Sequence, residues 1–572
     1  MKKLICLFLA IVVSLSLVAC VGPSAGGSSD YDYELNVAII NSGLGTAYAE
    51  EIEKDFEAYY ANCEVEPGSG LKGVDIKLHP GLDEYNSTKG TLLNTIDNLV
   101  PTVYILDRID YQKFVIEDKL VDISDVVTDK IYDKDGNFAK DTGLTAMYSI
   151  EDLMADGYSE FYRYQDGNCY GIPYRASIGG LIYDADLFDT EGYFFKSNGQ
   201  LGAKYADIKS GNCSTGPDGV LGTSDDGLPN TMSDFATLIS YMRNRGTTPF
   251  SFSGAYKYTR NEAYQAMHAN YEGKDNFLLN YTFNGYDTGL KKQITEDNYT
   301  DLLDQEGRRA AIRIFEEIAK NDKNWVEGST TSLDQKQAQN AFIMSVDSNN
   351  PVAFLFEGGW WESEARLTFE NMQYDNEDWG YGKRNIRLFP YPNMVGEESV
   401  KDQVNTVRTL VGQHPLEGCS IFLSKNNSSE IETIIGKEFL RFMNRRDQII
   451  DFTKNTGGCI RCIEIPTPYT EAELSTLTKY GKSIFEFINE GADIVFTCSV
   501  AKKRIDNPTG FGSGDGGWGY IGTPAGGVSY NDPLTVFLEA KKTVASLNGK
   551  LPTVDQVFQW SKAEQLRLYG DF

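Results

Sequence analysis

Histidine is almost missing from this chain of 572 residues, with three in all, at positions 79, 268 and 414. No H-E-x-x-H pair can be built from them and no G-x-S-x-G elbow occurs, so the common local signatures of zinc peptidases and serine hydrolases are absent. A phosphate cradle is missing too. Gly481-Lys482-Ser483 has the end of a P-loop, but position 476 is Thr where the turn needs Gly. Positive charge is in short supply, 53 basic against 82 acidic residues. Phosphate recognition needs clustered Lys and Arg, and so acidic a surface repels DNA and anionic headgroups, which excludes nucleic acid and favours uncharged or cationic small solutes. Cysteines are few and irregularly spaced, and no disulfide framework can be read from them. Cys459 and Cys462 form a lone C-x-x-C; zinc would need two further ligands, so these read as structural thiols or a local disulfide. One enzymatic alternative stays open, glycoside hydrolysis by paired carboxylates, because sequence does not set the distance between acidic side chains.

What is present begins at the amino terminus. Lys2 and Lys3 precede an apolar run from Leu4 to Val18, and Leu17-Val18-Ala19-Cys20 closes it. That is the order of an export signal with small residues at its cleavage point. The last four residues resemble the lipobox of bacterial lipoproteins, which implies cleavage after residue 19, lipid on the Cys20 thiol and attachment to the outer face of the cell membrane. Residues 20–33 read as a polar tether rich in Gly and Ser. Removing Lys2 and Lys3 leaves a formal charge of −31 on the mature chain, so its body gains nothing from an anionic membrane. A length this great suggests two or more domains.

Leu35 to Ile40 suits a strand, Asn41 to Gly45 a loop, and Ala49, Ile52, Phe56 and Tyr59 recur at helical spacing before a second strand at Asp75 to Leu78. This β-loop-α-β opening belongs to a parallel sheet covered by helices. Loops at the carboxyl ends of such strands line ligand crevices, which makes Asn41 and Ser42 binding candidates. Val103 to Leu106 is a third strand ending at Asp107, a carboxylate placed either to accept ligand hydroxyls or to cap the next helix. Ile435, Phe439, Phe442 and Met443 mark a later helix, with Gly457-Gly458 beyond its end. Residues 192–229 read as a loop insertion. Within it, Asp218, Asp225 and Asp226 lie among four glycines between positions 216 and 227. They are a candidate structural calcium site, the alternative being an acidic turn.

Several segments, in order, resemble the extracellular solute-binding proteins of bacterial ABC transporters, in the carbohydrate-binding group related to maltose-binding protein. The most specific is Asp166-Gly167-Asn168-Cys169-Tyr170-Gly171-Ile172-Pro173 running on to Gly180-Leu181-Ile182-Tyr183-Asp184 and Leu187-Phe188. Pro101-Thr102-Val103-Tyr104, Lys119 to Ile123, Glu357-Gly358-Gly359-Trp360-Trp361, Leu388 to Pro392, Gly418 to Ile421 and Lys437 to Met443 extend it over most of the chain. Thr102 stands where the family usually has Asp.

The resemblance implies an α/β, two-lobe fold like that of periplasmic binding proteins, with interleaved lobes joined by hinge strands and ligand held in the cleft between them. The solute-binding domain would span 34–572, its first lobe about 34–150 and 355–450 and its second about 151–354 and 451–572. It also implies a monomer that binds a carbohydrate, without enzymatic activity or a required cofactor, and delivers it to the permease subunits of an importer. An adhesive or structural lipoprotein and a glycosidase are the rival readings. Aromatic faces would lie on the apolar faces of a sugar while polar groups pair with its hydroxyls. Trp360 suits the first role, with Trp361 turned to the core, and Asp107, Arg175 and Glu357 suit the second. Tyr174 and Tyr183 could do either, and Trp518 with Tyr520 form another candidate platform. Replacing Cys20 by Ala should remove the protein from the membrane fraction and abolish labelling by palmitate while solute affinity stays unchanged; membrane retention of the unlabelled variant would overturn the lipid assignment.

Overall fold

Residues Leu35 to Ile40 are buried without interruption, the pattern of a strand covered on both faces. They form most of β1 (Tyr33–Ile39), which lies parallel between β2 (Val74–Pro80) and β3 (Val103–Asp107), with Val37 opposite both Leu78 and Val103. Helix α1 (Ala47–Tyr60) joins β1 to β2 and buries Ala49, Ile52, Phe56 and Tyr60, one face of a helical repeat. The structure is a computed structural model. It describes residues 31–570 except 42, 66, 69, 71, 82–90, 108–110, 156, 413–418, 426–428, 498–499 and 504–518.

The strands that follow are β4 (Ile172–Pro173), β5 (Arg175–Ser177), β6 (Gly180–Asp184), the hairpin β7 (Phe194–Phe195) and β8 (Leu201–Ala203), and β9 (Thr248–Ser251). Then come the hairpin β10 (Gly285–Asp287) and β11 (Lys292–Ile294), β12 (Val352–Glu357), β13 (Ile386–Leu388) and β14 (Thr409–Gly412). The last are β15 (Cys419–Leu423), β16 (Cys459–Arg461) and β17 (Asp493–Phe496). Helices used below are α2 (Tyr258–Glu272), α3 (Trp361–Glu364), α4 (Glu430–Phe442), α5 (Arg446–Thr456) and α6 (Lys479–Asn489).

Two larger sheets result, one per lobe. The first has the order β2-β1-β3-β15-β4 and the second β13-β6-β12-β9. β15 runs antiparallel to β3, with Ile421 opposite Ile105, and β12 antiparallel to β6, with Leu355 opposite Ile182. Between the sheets, β5 pairs with β16 in a short antiparallel ribbon, Ala176 opposite Ile460. The chain passes from one sheet to the other at β5 and again between β14 and β15. After β16 it reaches α6, whose Ser483 hydroxyl accepts a bond of 2.9 Å from the Leu388 amide of β13.

The lobes interleave differently from the expectation. Residues 355–400, assigned above to the first lobe, carry the end of β12 and all of β13, both in the second sheet. Phe354 stacks on Phe250 of β9 at 5.3 Å, inside the second-lobe core. Conversely, residues 151–173, assigned to the second lobe, end in β4 of the first sheet, where Ile172 lies opposite Ile421. An apolar strand reads the same whichever sheet it joins, and only its hydrogen-bond partners decide. Gly457, read as the stop of the helix containing Ile435 and Phe439, instead ends the next helix, α5, at φ +77; α4 itself stops at Phe442.

The 192–229 insertion is part of the second-lobe core, burying Tyr193, Phe194, Phe195 and Leu228. Its carboxylates take partners from the protein itself. Asp225 is fully buried and pairs with the Arg408 guanidinium at 2.5 Å, Asp226 accepts from the Gly222 amide at 2.8 Å, and Asp218 accepts from the Val220 amide at 2.8 Å. Among the described residues no group of three or more His, Cys, Asp or Glu side chains could hold a metal. The described residues thus give the calcium expectation at Asp218, Asp225 and Asp226 no support: Arg408 pairs with Asp225, the Thr223 hydroxyl donates to the same carboxylate, and backbone amides donate to Asp226 and Asp218. Cys459 and Cys462 are buried free thiols, pushed up by desolvation to about 11 and about 12. No helix of the described residues is long and apolar enough to cross a membrane.

One core cluster draws on both lobes, with Tyr104 and Leu106 of β3, Ile182 of β6, Leu355 of β12, the ribbon residues Ala176 and Ile460, and Trp361. Glu362, next to Trp361, is 2% exposed and packs over Gly457, where a Cβ would lie 3.2 Å from its Oε2. Desolvation pushes its carboxyl up to about 8, against the opposing pull of a Thr478 hydrogen bond and the Arg366 charge. The folded chain thus keeps a proton that the unfolded chain loses near the ordinary value of 4.5. Stability falls as pH rises from about 4.5 to about 8 and levels off above that. Glu362→Gln should raise the melting temperature over wild type by an amount that grows across this window; parallel curves for the two proteins would mean that Glu362 is ionised in the fold.

Candidate ligand-binding cleft

Four strand ends and one helix start meet where the lobes face each other. The loop after β1 brings Asn41, which is exposed, and Gly43. β3 ends in Asp107, the ribbon strand β5 begins with Arg175, and β12 ends in Glu357, followed by Gly358, Gly359 and Trp360. β9 runs parallel to β12, so the chain leaving it arrives at the same edge and starts α2 with Tyr258.

Trp360 is at the centre. Its indole lies over Gly358, where a Cβ would come within 2.4 Å of the ring, and beside Gly43, where a Cβ would come within 3.2 Å. The Tyr258 ring is 6.2 Å away and tilted by 31°, and the Arg175 guanidinium carbon is 6.0 Å from the indole centroid. Arg175 faces Asp107 at 3.8 Å, their side chains 6% and 15% exposed. The Gly359 amide donates to the Ser177 hydroxyl of β5, which ties the end of β12 to the ribbon. A half-buried aromatic face beside a guanidinium and a carboxylate can take an uncharged solute with apolar faces and polar edges.

Of the residues expected here, Asp107, Arg175 and Trp360 come together, and Asn41 lies in the loop whose Gly43 meets the indole. Trp361 is fully buried against Phe342, Phe369 and Tyr480. The reason is not strand alternation, because β12 stops at Glu357 and both tryptophans lie at the turn into α3.

Four expectations are corrected. Glu357 is 1% exposed, accepts from Gln339 Nε2 at 3.3 Å and from the Gly358 amide at 3.1 Å, and faces inward. Desolvation, followed by the Glu364 charge, holds its carboxyl well above the usual range. Tyr174 is fully buried in the first-lobe core, with Phe452 at 5.0 Å and the Arg461 guanidinium 4.2 Å over its ring. Tyr183 packs in the second-lobe core against Phe188 at 4.8 Å and Phe389 at 5.5 Å. Tyr520 is fully buried against Tyr264 at 5.3 Å. In each case the side chain is enclosed by the protein rather than presented to solvent. Ser42, Trp518 and Cys20 lie outside the described residues.

Sequence reasoning missed Tyr258 and Glu262. Glu262 packs against the hinge at Gly179, where a Cβ would lie 2.7 Å from its Oε2. The available signal was positional, since both follow a strand that proves to be the parallel neighbour of β12.

Residues 69–463, more than half of the chain, match the family model described as bacterial extracellular solute-binding protein. No curated protein matches the chain. Similar solved structures include RafE in complex with raffinose, at 15% identity over 93% of this chain and 99% of that one, TM-score 0.48. Maltose-bound T. maritima MalE3 is at 14% identity over 94% and 100%, TM-score 0.47. A chitin oligosaccharide binding protein is at 15% identity over 94% and 98%, TM-score 0.45. Two α/β lobes joined by crossing strands, over a sequence that matches the family model for most of its length, place this chain among the bacterial extracellular solute-binding proteins.

Proposed function

We propose that this protein is the lipid-anchored solute-binding component of an ABC importer, and that it captures a carbohydrate in the cleft at Trp360 and delivers it unchanged to the permease. The observation that carries this reading is the half-buried indole of Trp360, with Tyr258 beside it and the Arg175–Asp107 pair at its edge. An indole face matches the apolar C–H faces of a pyranose, and the polar edge pairs with hydroxyls that closure would otherwise bury unsatisfied. The elements come from both lobes, so ligand contact and lobe closure favour each other, as in hinge closure around a ligand. Cys20 keeps captured solute beside the permease.

A melting-temperature screen against glucose, galactose, maltose, raffinose and chitobiose tests the assignment, since a ligand bound only by the folded state raises the melting temperature by mass action. At least one sugar is expected to do so and to be recovered intact. Its hydrolysis by the pure protein would replace a receptor with a glycosidase. Trp360→Ala should weaken binding of that sugar by about tenfold or more, equivalent to ~1.4 kcal/mol, with the melting temperature of the free protein little changed. Unaltered affinity in this variant would move the site away from Trp360.

A further inference from the structure

Helix α3 continues directly from β12 of the second lobe, yet its polar side chains reach the first lobe. Ser363 Oγ donates to the Leu44 carbonyl at 2.8 Å. The bond is shielded, with Ser363 9% and Leu44 1% exposed. Leu44 belongs to the first-lobe core and follows Gly43 in the loop after β1. That glycine sits at φ +72 and is the residue that approaches the Trp360 indole. Two adjacent residues of one first-lobe loop therefore meet two nearby residues of the second lobe, one pair by ring contact and the other by a hydrogen bond. Arg366, just past α3, donates to the Asn455 carbonyl near the end of α5 at 3.4 Å, so the same face is held at a second point.

We propose that Ser363 is a positioning residue for ligand capture: its hydrogen bond to Leu44 forms as the lobes close and holds Gly43 and Leu44 in place, Gly43 against the Trp360 indole, making closure and stacking a single event. This rests on the cleft being the ligand site. Opening replaces the shielded bond with water on both groups, a difference that shifts an open–closed equilibrium by about three- to tenfold. Release requires opening, so the effect falls on the dissociation rate. The left-handed backbone at position 43 is one that glycine adopts without strain, and a side chain there would also push against the indole.

Hydrogen exchange on the full-length protein in detergent tests the latch without any sugar. In Ser363→Ala, segments 36–50 and 355–370 should exchange about three- to tenfold faster, while segment 232–244 inside the second lobe and the melting temperature stay as in wild type. Ser363→Thr, which keeps the hydroxyl, should restore slow exchange. Unchanged exchange in both segments would overturn the proposal. So would faster exchange everywhere with a fall in melting temperature, the mark of a static strut. In the second arm, with whichever of the five screened sugars raises the melting temperature most, Ser363→Ala should speed dissociation and leave association unchanged; an equal change in both rates would overturn the coupling. A screen without any responding sugar would count against the carbohydrate reading alone, and the sugar-free exchange would still decide the latch.

Discussion

Gly358 and Gly359 let three chain segments approach more closely than side chains would allow, and the cleft is built on that approach. At Gly358 the missing Cβ leaves room for the Trp360 indole to fold back over its own strand end, and at Gly359 it leaves room for Ser177 and the Gly458 carbonyl of the ribbon. Gly458 in turn leaves room for the Tyr480 ring. A methyl group at position 358 would displace the indole, and one at 359 would push the second sheet off the hinge. The position of the aromatic face is thus a backbone property, set before any ligand arrives.

The same junction explains how two lobes can share stability and still move. Tyr104, Leu106, Ile182 and Leu355 meet in a single apolar cluster with the ribbon residues, so the lobes are joined by packing as well as by the chain. Among the described residues, polar contacts cross the junction at several points, Ser363 to Leu44, Arg366 to Asn455 and Thr478 to the Gly457 carbonyl among them. Hydrogen bonds of this kind cost little when water replaces them, whereas the shared apolar layer would be costly to expose. Motion is therefore easiest where the polar contacts lie.

Buried acids mark the second-lobe side of this region. Glu357 and Glu362 are almost fully enclosed and both are shifted toward the neutral form. A neutral carboxyl packs and hydrogen-bonds without the cost of a buried charge, which reconciles a formal charge of −29 with an apolar junction. The acidic insertion solves the same problem by another route, pairing Asp225 with Arg408 under the Phe487 ring.

The local sequence determined much of this protein. Largely apolar runs marked β1 and β3, helical spacing marked α1, and strand ends pointed to Asn41 and Asp107, because these signals arise from burial and periodicity within a few residues. Motif order brought out the family and singled out Arg175 and Trp360. Tertiary structure alone decided which sheet β12 and β13 join, that Tyr174, Tyr183 and Tyr520 turn to the cores, that Glu357 is enclosed, and that Tyr258 and Glu262 reach the cleft. Strand pairing and side-chain facing depend on partners hundreds of residues away, as Ile421 beside Ile105 and Asp532 beside Arg260 show. One chain segment carries no mark of which distant segment will cover it.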